Sequence, residues 1–164
     1  ELEIVDALQL MIEQNKLIDF EIITEFWKDT GTPDDIIKAN TIILENLDGV
    51  LTDEKNFPCK ISGKISIGTG TTLEKNTQII GPVLIGENCK IESNSIIGPN
   101  VTIGNNCNIS SCKISNSIIM SNCTINSRIN LEKSIIAYNC KILSKKESSH
   151  NDIFLLGEGT NIIL

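Results

Sequence analysis

The chain has 164 residues and a formal net charge of −7 at neutral pH. That is the wrong sign for gripping a nucleic-acid backbone, and no apolar run reaches the roughly 18 residues that a bilayer-spanning helix needs. Aromatic residues make up only 4% of the chain, so any core must be built from aliphatic side chains, and the length allows one small element plus one larger domain.

Residues 1–50 alternate between helical and extended patterns. Ile4, Ala7, Leu8, Met11 and Ile12 recur at i, i+3, i+4, i+7 and i+8, which predicts an amphipathic helix that Asn15 can end. From Leu17 to Phe26 apolar residues alternate, with Ile18, Phe20, Ile22, Thr24 and Phe26 on one face, and this predicts a strand. Thr32 then reads as the N-cap of a second helix, with Pro33 at its first position and Asp34 and Asp35 complementing its dipole. The predicted core face of that helix is Ile36, Ala39, Ile43, Leu44 and Leu47, and Gly49 is its expected terminator. Residues 48–58, with Asp53, Glu54, Lys55 and Pro58, read as a linker. A helix–strand–helix unit of this size makes a poor core alone, and the chain opens on Glu1 rather than methionine. Residues 1–50 are therefore expected to be the end of a larger domain.

Beyond the linker a different rule takes over. Isoleucine or leucine falls at every sixth position: Ile67, Leu73, Ile79, Ile85, Ile91, Ile97, Ile103 and Ile109. Neither a helix nor an ordinary strand needs a period of six; a hexapeptide β-solenoid does, each hexad forming one side of a triangular coil. The position after the inward residue is often glycine (Gly68, Gly86, Gly98, Gly104), and the fourth is often asparagine (Asn76, Asn88, Asn94, Asn100, Asn106). Both residues tolerate the positive φ expected at coil corners. The fifth position also points inward and is small: Thr71, Thr77, Val83, Cys89, Ser95, Val101, Cys107. Ile61 extends the register upstream. Downstream, the steps from Ile109 to Ile114 and on to Ile119 are of five, which predicts a tightened corner; Ile125, Leu131, Ile136 and Ile142 carry it on. Residues 144–152 are polar and are expected to form a surface loop, before a last hexad at Leu156, Gly157, Thr160 and Ile162. The result is a mainly β chain whose solenoid spans residues 51–164, with roughly five coils from about 55 to 142, roughly 24 Å tall at the spacing of stacked strands.

Six cysteines invite a metal or disulfide reading until the register is applied. Cys59, Cys89, Cys107, Cys123 and Cys140 fall on the small inward position, where a thiol acts as a small hydrophobe, and only Cys112 falls off it. No C-x-x-C pair or zinc spacing occurs. Reduced structural thiols are expected, which favours a reducing compartment and hence the cytoplasm.

The segments Glu1-Leu2-Glu3-Ile4-Val5-Asp6-Ala7 and Trp27-Lys28-Asp29-Thr30-Gly31-Thr32-Pro33 resemble the last stretch of the catalytic domain of sugar-1-phosphate nucleotidyltransferases, a Rossmann-like domain. Ile79-Ile80-Gly81-Pro82-Val83-Leu84-Ile85-Gly86 and Leu156-Gly157-Glu158 also resemble that family, and in particular its long-form glucose-1-phosphate thymidylyltransferases, which continue into a left-handed parallel β-helix. The handedness is implied by this resemblance alone, since the usual crossover rule favours the right hand. The resemblance implies transfer of a nucleotidyl group from dTTP or UTP to a sugar 1-phosphate, with Mg2+ and release of pyrophosphate. It makes Asp29 the metal ligand and places Glu1, and less directly Trp27, near the sugar. From spacing alone Asp29 reads as a turn former before the helix, Trp27 as a packing residue and Glu1 as a free end. The family's glycine-rich triphosphate loop and second metal carboxylate are not in this sequence, so the chain alone is expected to be inactive.

Two further expectations concern the solenoid. Related bifunctional enzymes acetylate an amino-sugar phosphate from acetyl-CoA at such coils, using a general base that is commonly histidine. The single histidine here is His150, in the polar run, and the segment where the resemblance would place one reads Asn126-Ser127-Arg128-Ile129-Asn130-Leu131-Glu132-Lys133. The other expectation is assembly: Ile80, Leu84, Ile96, Ile118 and Ile135 make prism sides suited to a homo-oligomer, a trimer about a threefold axis.

Overall fold

A computed structural model describes residues 3–24, 27–47 and 57–163, with the backbone alone for 144–152. Glu1, Phe26, Gly49 and the linker residues Asp53, Glu54 and Lys55 lie outside the described residues.

The coils build up in chain order. β1 (Lys60–Ser62), β2 (Ile65–Ile67) and β3 (Thr72–Leu73) make the first, and β4 (Gln78–Ile80), β5 (Val83–Ile85) and β6 (Lys90–Ile91) the second. β7 (Ile96–Ile97), β8 (Val101–Ile103) and β9 (Asn108–Ser110) make the third. β10 (Lys113–Ser115), β11 (Ser117–Ile119) and β12 (Thr124–Glu132) follow, and β12 continues round a corner into the next coil. β13 (Ile135–Ile136), β14 (Lys141–Asp152), β15 (Leu155–Leu156) and β16 (Asn161–Ile163) complete the stack. Every ladder is parallel. The first face runs β1-β4-β7-β10-β12, the second β2-β5-β8-β11-β13-β15, and the third β3-β6-β9-β12-β14-β16. This is the hexapeptide-repeat parallel β-helix that the sixfold spacing predicts.

Stacking is residue on equivalent residue. Ile61 pairs with Ile79, Ile79 with Ile97, Ile97 with Ile114 and Ile114 with Leu131. The side chains from Ile79 to Ile142 in these columns are buried, most of them completely. Eighteen residues separate Ile79 from Ile97, but seventeen separate Ile97 from Ile114. The tightened corners are turned by Ser111 at φ 58° and Asn116 at φ 47°. With one residue fewer, Cys112 slides into the inward column: its carbonyl accepts from Ile96 N as that of Ser95 accepts from Gln78 N. Cys112 is therefore buried like the other small inward residues, and burial pushes its thiol up to about 12.

The remaining thiols form a regular track. The Sγ of Cys89, Cys107, Cys123 and Cys140 donate to the carbonyls of Gly104, Met120, Ala137 and Gly157 at 3.0, 3.2, 3.0 and 3.0 Å. Hydrogen bonds with Cys123 and Cys89, and then burial, hold the Cys107 thiol far above its usual range. All six cysteines are free. Cys59 alone is half-buried, on an open groove with Pro58, Lys60, Asn76, Thr77 and Gln78. A small disulfide reagent at about pH 8.5, near the ordinary thiol pKa, should therefore label one thiol per folded chain, at Cys59, and the other five only after denaturation. Mass mapping that found Cys107 or Cys112 labelled in the native protein would contradict the buried track.

The corners separate two roles that the sequence had merged. Asn76, Asn88, Asn94, Asn100 and Asn106 all have positive φ, as expected. Among the second-position glycines only Gly98 does, at φ 107°. Gly68, Gly86 and Gly104 are required instead by close approach of the next coil: a Cβ on Gly68 would lie 2.6 Å from Glu87 N. Down one corner the asparagine side chains bond to each other. Asn106 Nδ2 donates to Asn122 Oδ1 at 3.2 Å, Asn122 to Asn139 at 3.2 Å, and Asn139 to Glu158 Oε1 at 3.1 Å.

Three expectations need correction. Residues 144–152 are not a loop: their backbone belongs to β14, paired with β12. From Asn126↔Leu143 to Leu131↔Asp152, β12 advances five residues and β14 nine, so the polar insertion is absorbed as bulges in a paired strand. The strand expected from Leu17 has no ladder partner among the described residues, and 18–24 carry no regular structure. Leu17 is 95% exposed, so the alternation found no sheet to join.

The third concerns the helices. α1 (Ile4–Glu13) ends as predicted, with Asn15 at φ 53° and the bonds Asn15 N to Ile12 O and Lys16 N to Met11 O, both 2.9 Å. None of its residues is buried. α2 (Pro33–Glu45) is capped by Thr32, which accepts from Asp35 N. Its buried residues are Ile37 and Leu44, while Ile36 and Ile43 face outward. The helix lies on the second face, against β8 and β11. Thr102 offers a hydroxyl there, so the docking side can include Asn40 between Ile37 and Leu44. Of the predicted face, Leu44 is buried and Ala39 and Leu47 partly so, whereas Ile36 and Ile43 are not, so counting apolar residues alone placed only part of the docking side.

Candidate functional site

The residues singled out by the sequence are not brought together. Glu1 lies outside the described residues; His150 sits on β14 with its side chain undescribed. Trp27, 69% exposed, and Asp29, also exposed, stand on the irregular segment before α2.

That segment is tied down at its neighbours. Lys28 Nζ donates to Asp35 Oδ1 at 2.8 Å. Thr32 Oγ1 donates to Asp35 Oδ2 at 2.6 Å and accepts from Asp35 N at 3.2 Å. The Asp35 carboxylate thus gathers a cation, a hydroxyl and a place in the first helical turn, all favouring its charged form. The hydrogen bond from Lys28, then that from Thr32, lowers its pKa from 3.8 to about 2. The folded value is depressed, so the stabilisation is complete above the ordinary value of 3.8 and is lost as pH falls through about 2. An NMR titration should find Asp35 still ionised at about pH 3; a midpoint near 3.8 would mean that the pair does not form in solution.

Asp29 itself makes no hydrogen bond or ion pair among the described residues, its carboxylate lying over the Gly31 backbone. It offers one hard oxygen donor, which suits a magnesium ligand. Nowhere among the described residues do three His, Cys, Asp or Glu side chains converge on a possible metal position. One carboxylate fits such an ion as a single ligand and does not make a site.

On the solenoid, Asn126–Lys133 occupies β12 and the corner after it. Arg128, Ile129 and Asn130 line a groove of about 280 Å³ with Lys113, Ser111 and Asn94. No imidazole is among them. Among the described residues no helix is long and apolar enough to cross a membrane.

Lys28, Asp35, Asn40 and Thr102 were not singled out as site residues by the sequence. The signal for Asp35 was present: Thr-x-x-Asp is a capping arrangement, and Asp35 had been read as serving the helix dipole alone. Asn40–Thr102 is a contact across 62 residues, for which a sequence carries no local mark.

Comparison with known proteins agrees with this architecture. The model of the family described as GMPPB C-terminal domain matches residues 79–162, just over half of the chain. The glucose-1-phosphate thymidylyltransferase of Streptomyces antibioticus is 30% identical over 162 residues, covering 99% of this chain and 45% of that protein. The low-salt glycan biosynthesis nucleotidyltransferase Agl11 of Haloferax volcanii is 48% identical over 46 residues, 28% of this chain and 13% of that protein. The bifunctional protein GlmU of Methanococcus vannielii is 33% identical over 70 residues, 43% of this chain and 17% of that protein. The chain thus spans less than half the length of each of these relatives. With its coils matched from β4 into β16, the chain belongs to the GMPPB C-terminal domain family.

Proposed function

We propose that the chain is the C-terminal part of a sugar-1-phosphate nucleotidyltransferase, with residues 1–50 closing the catalytic domain and residues 51–164 forming the solenoid. The enzyme joins a nucleoside triphosphate to a sugar 1-phosphate and releases pyrophosphate, with dTTP and glucose 1-phosphate as the substrate pair. The observation that carries this reading is a likeness to a thymidylyltransferase that extends over both parts of the chain. α1 supports it independently. An amphipathic helix that buries none of its residues, followed by exposed Leu17, Phe20 and Ile22, is the kind of apolar surface that a catalytic domain covers.

In this reaction a sugar-phosphate oxygen attacks the α-phosphorus in line, and the protein contributes position and charge compensation rather than covalent chemistry. Mg2+, when bound, offsets charge on the phosphates. Asp29 holds it as one ligand, with the other ligands and the nucleotide pocket supplied by the rest of the enzyme. Trp27 and Glu1 flank the sugar. The solenoid assembles the enzyme, as a trimer packed through prism sides that α2 leaves uncovered, in the reducing cytoplasm that six free thiols suit.

The 164-residue chain alone should not turn over dTTP and glucose 1-phosphate. The full-length enzyme should, and Asp29→Asn should lower kcat/KM about a hundredfold while raising the Mg2+ requirement. Unaltered Mg2+ dependence in that variant would remove Asp29 from the role. Sedimentation of a monomer at micromolar concentration would remove the assembly role.

The partial likeness to GlmU favours one alternative, acetyl transfer from acetyl-CoA to an amino-sugar phosphate on the solenoid. It would displace the first reading if the chain alone catalysed that transfer and lost it on His150→Ala.

A further inference from the structure

We infer that α2 is a strut through which the solenoid fixes the place of the Asp29 carboxylate, with Lys28 and Asp35 as positioning residues at its N-terminal end and Asn40 and Thr102 on its docked face. Its functional meaning rests on the reading of Asp29 as a metal ligand; its geometry does not.

Asp29 stands on an irregular segment, and among the described residues nothing holds its own side chain. The residue before it is held. The Lys28 ammonium reaches across to Asp35 Oδ1 at 2.8 Å, closing residues 28–35 into a short ring anchored in the first turn of α2. The same bond has a second consequence. Lys28 is the cation nearest to Asp29 in sequence, and its engagement with Asp35 keeps it from neutralising Asp29.

The far side of α2 is held with equal economy. Ile37 and Leu44 are buried on the second face, and between them Thr102 Oγ1 donates to Asn40 Oδ1 at 2.6 Å. Where the helix ends, Lys64 Nζ donates to the Glu45 carbonyl at 2.8 Å, a cation meeting the negative end of the helix dipole. The platform beneath is stiff, because each inner coil is hydrogen-bonded to the coil on either side. A stiff base, one helix and a polar clamp at each end transmit placement. That matters at a reacting centre, where a displacement of about 1 Å can cost about a hundredfold in rate.

The test uses the single tryptophan, Trp27, next to the clamp. In the 164-residue chain, Lys28→Met should increase the amplitude of local Trp27 motion in time-resolved fluorescence anisotropy, leaving amide exchange in α2 unchanged. Thr102→Val should quicken exchange in α2 by about tenfold and raise Trp27 mobility as well, the effect having passed along the helix. Lys28→Arg, which also donates to a carboxylate, should restore the wild-type anisotropy. In the full-length enzyme, Lys28→Met should raise the Mg2+ concentration for half-maximal activity by about threefold to tenfold, with kcat at saturating Mg2+ within about twofold. Unchanged Trp27 motion in both variants would overturn the strut, whatever Asp29 binds. Altered motion with unaltered Mg2+ dependence would uphold the strut and overturn the metal reading of Asp29.

Discussion

Ile97→Ala is expected to destabilise the chain by about 4 kcal/mol, near the upper part of the range for buried aliphatic truncations. Ile97 has no exposed surface and stands in a column between Ile79 and Ile114. In a globular core, neighbouring elements can slide inward and fill part of such a cavity. Here the walls are parallel ladders hydrogen-bonded to the coils on either side, and inward movement would break that bonding. The cavity therefore stays open. Thermal unfolding should fall by about 8–16 °C for a chain of this size. Leu156→Ala is the control: it is only partly buried, in the last coil, and should cost clearly less. A loss below about 1 kcal/mol at Ile97 would mean that the coil collapses and that the column is not close-packed.

The second large effect is expected at Gly104→Ala, about 3 kcal/mol from overpacking. The added Cβ would stand 2.6 Å from both Ser121 N and Ser121 Oγ, and 3.0 Å from the Met120 carbonyl carbon. Ser121 Oγ could rotate away, but the backbone nitrogen could not. The third and fourth coils would have to separate at this corner, weakening the bond from Gly104 N to Ile119 O at 2.8 Å. Since Gly104 has no positive φ, the whole cost is steric. Asn106→Ala, two residues on at φ 59°, should fail for a different reason, backbone strain and a lost side-chain rung. Denaturant titration of Gly104→Ala showing wild-type stability would mean that the coil spacing at this corner is soft.

The solenoid was legible because its constraint is periodic and local. An inward isoleucine, a small inward partner and an asparagine corner recur every six residues, and each is dictated by the coil it belongs to. Even the shortened coil showed itself, as steps of five, although the slide of Cys112 into the inward column follows only when the register is carried through that corner. Periodicity failed where the deciding partner is remote. The outward-facing Ile36 and Ile43 look like core until Thr102 is known to face Asn40. The alternation from Leu17 looks like a strand until it is seen to have no sheet beside it among the described residues. The run at 144–152 looks like a loop because its composition is polar, yet any backbone can pair if a neighbour offers a free edge, and β12 does. The candidate site was less legible still. Asp29 owes its prominence to a resemblance, and the lysine and aspartate that hold its segment are ordinary surface types whose meaning is a 2.8 Å contact.

The asparagine rungs at one corner all donate in the same sense, from Asn106 through Asn122 and Asn139, and the last amide gives its proton to the Glu158 carboxylate. Aligned amide dipoles add along the stacking axis, whereas the strand dipoles of a sheet largely cancel. The solenoid therefore carries a side-chain-built polarity, with its donor end toward the last coil and a negative charge placed to meet it. Its two ends are electrically unlike.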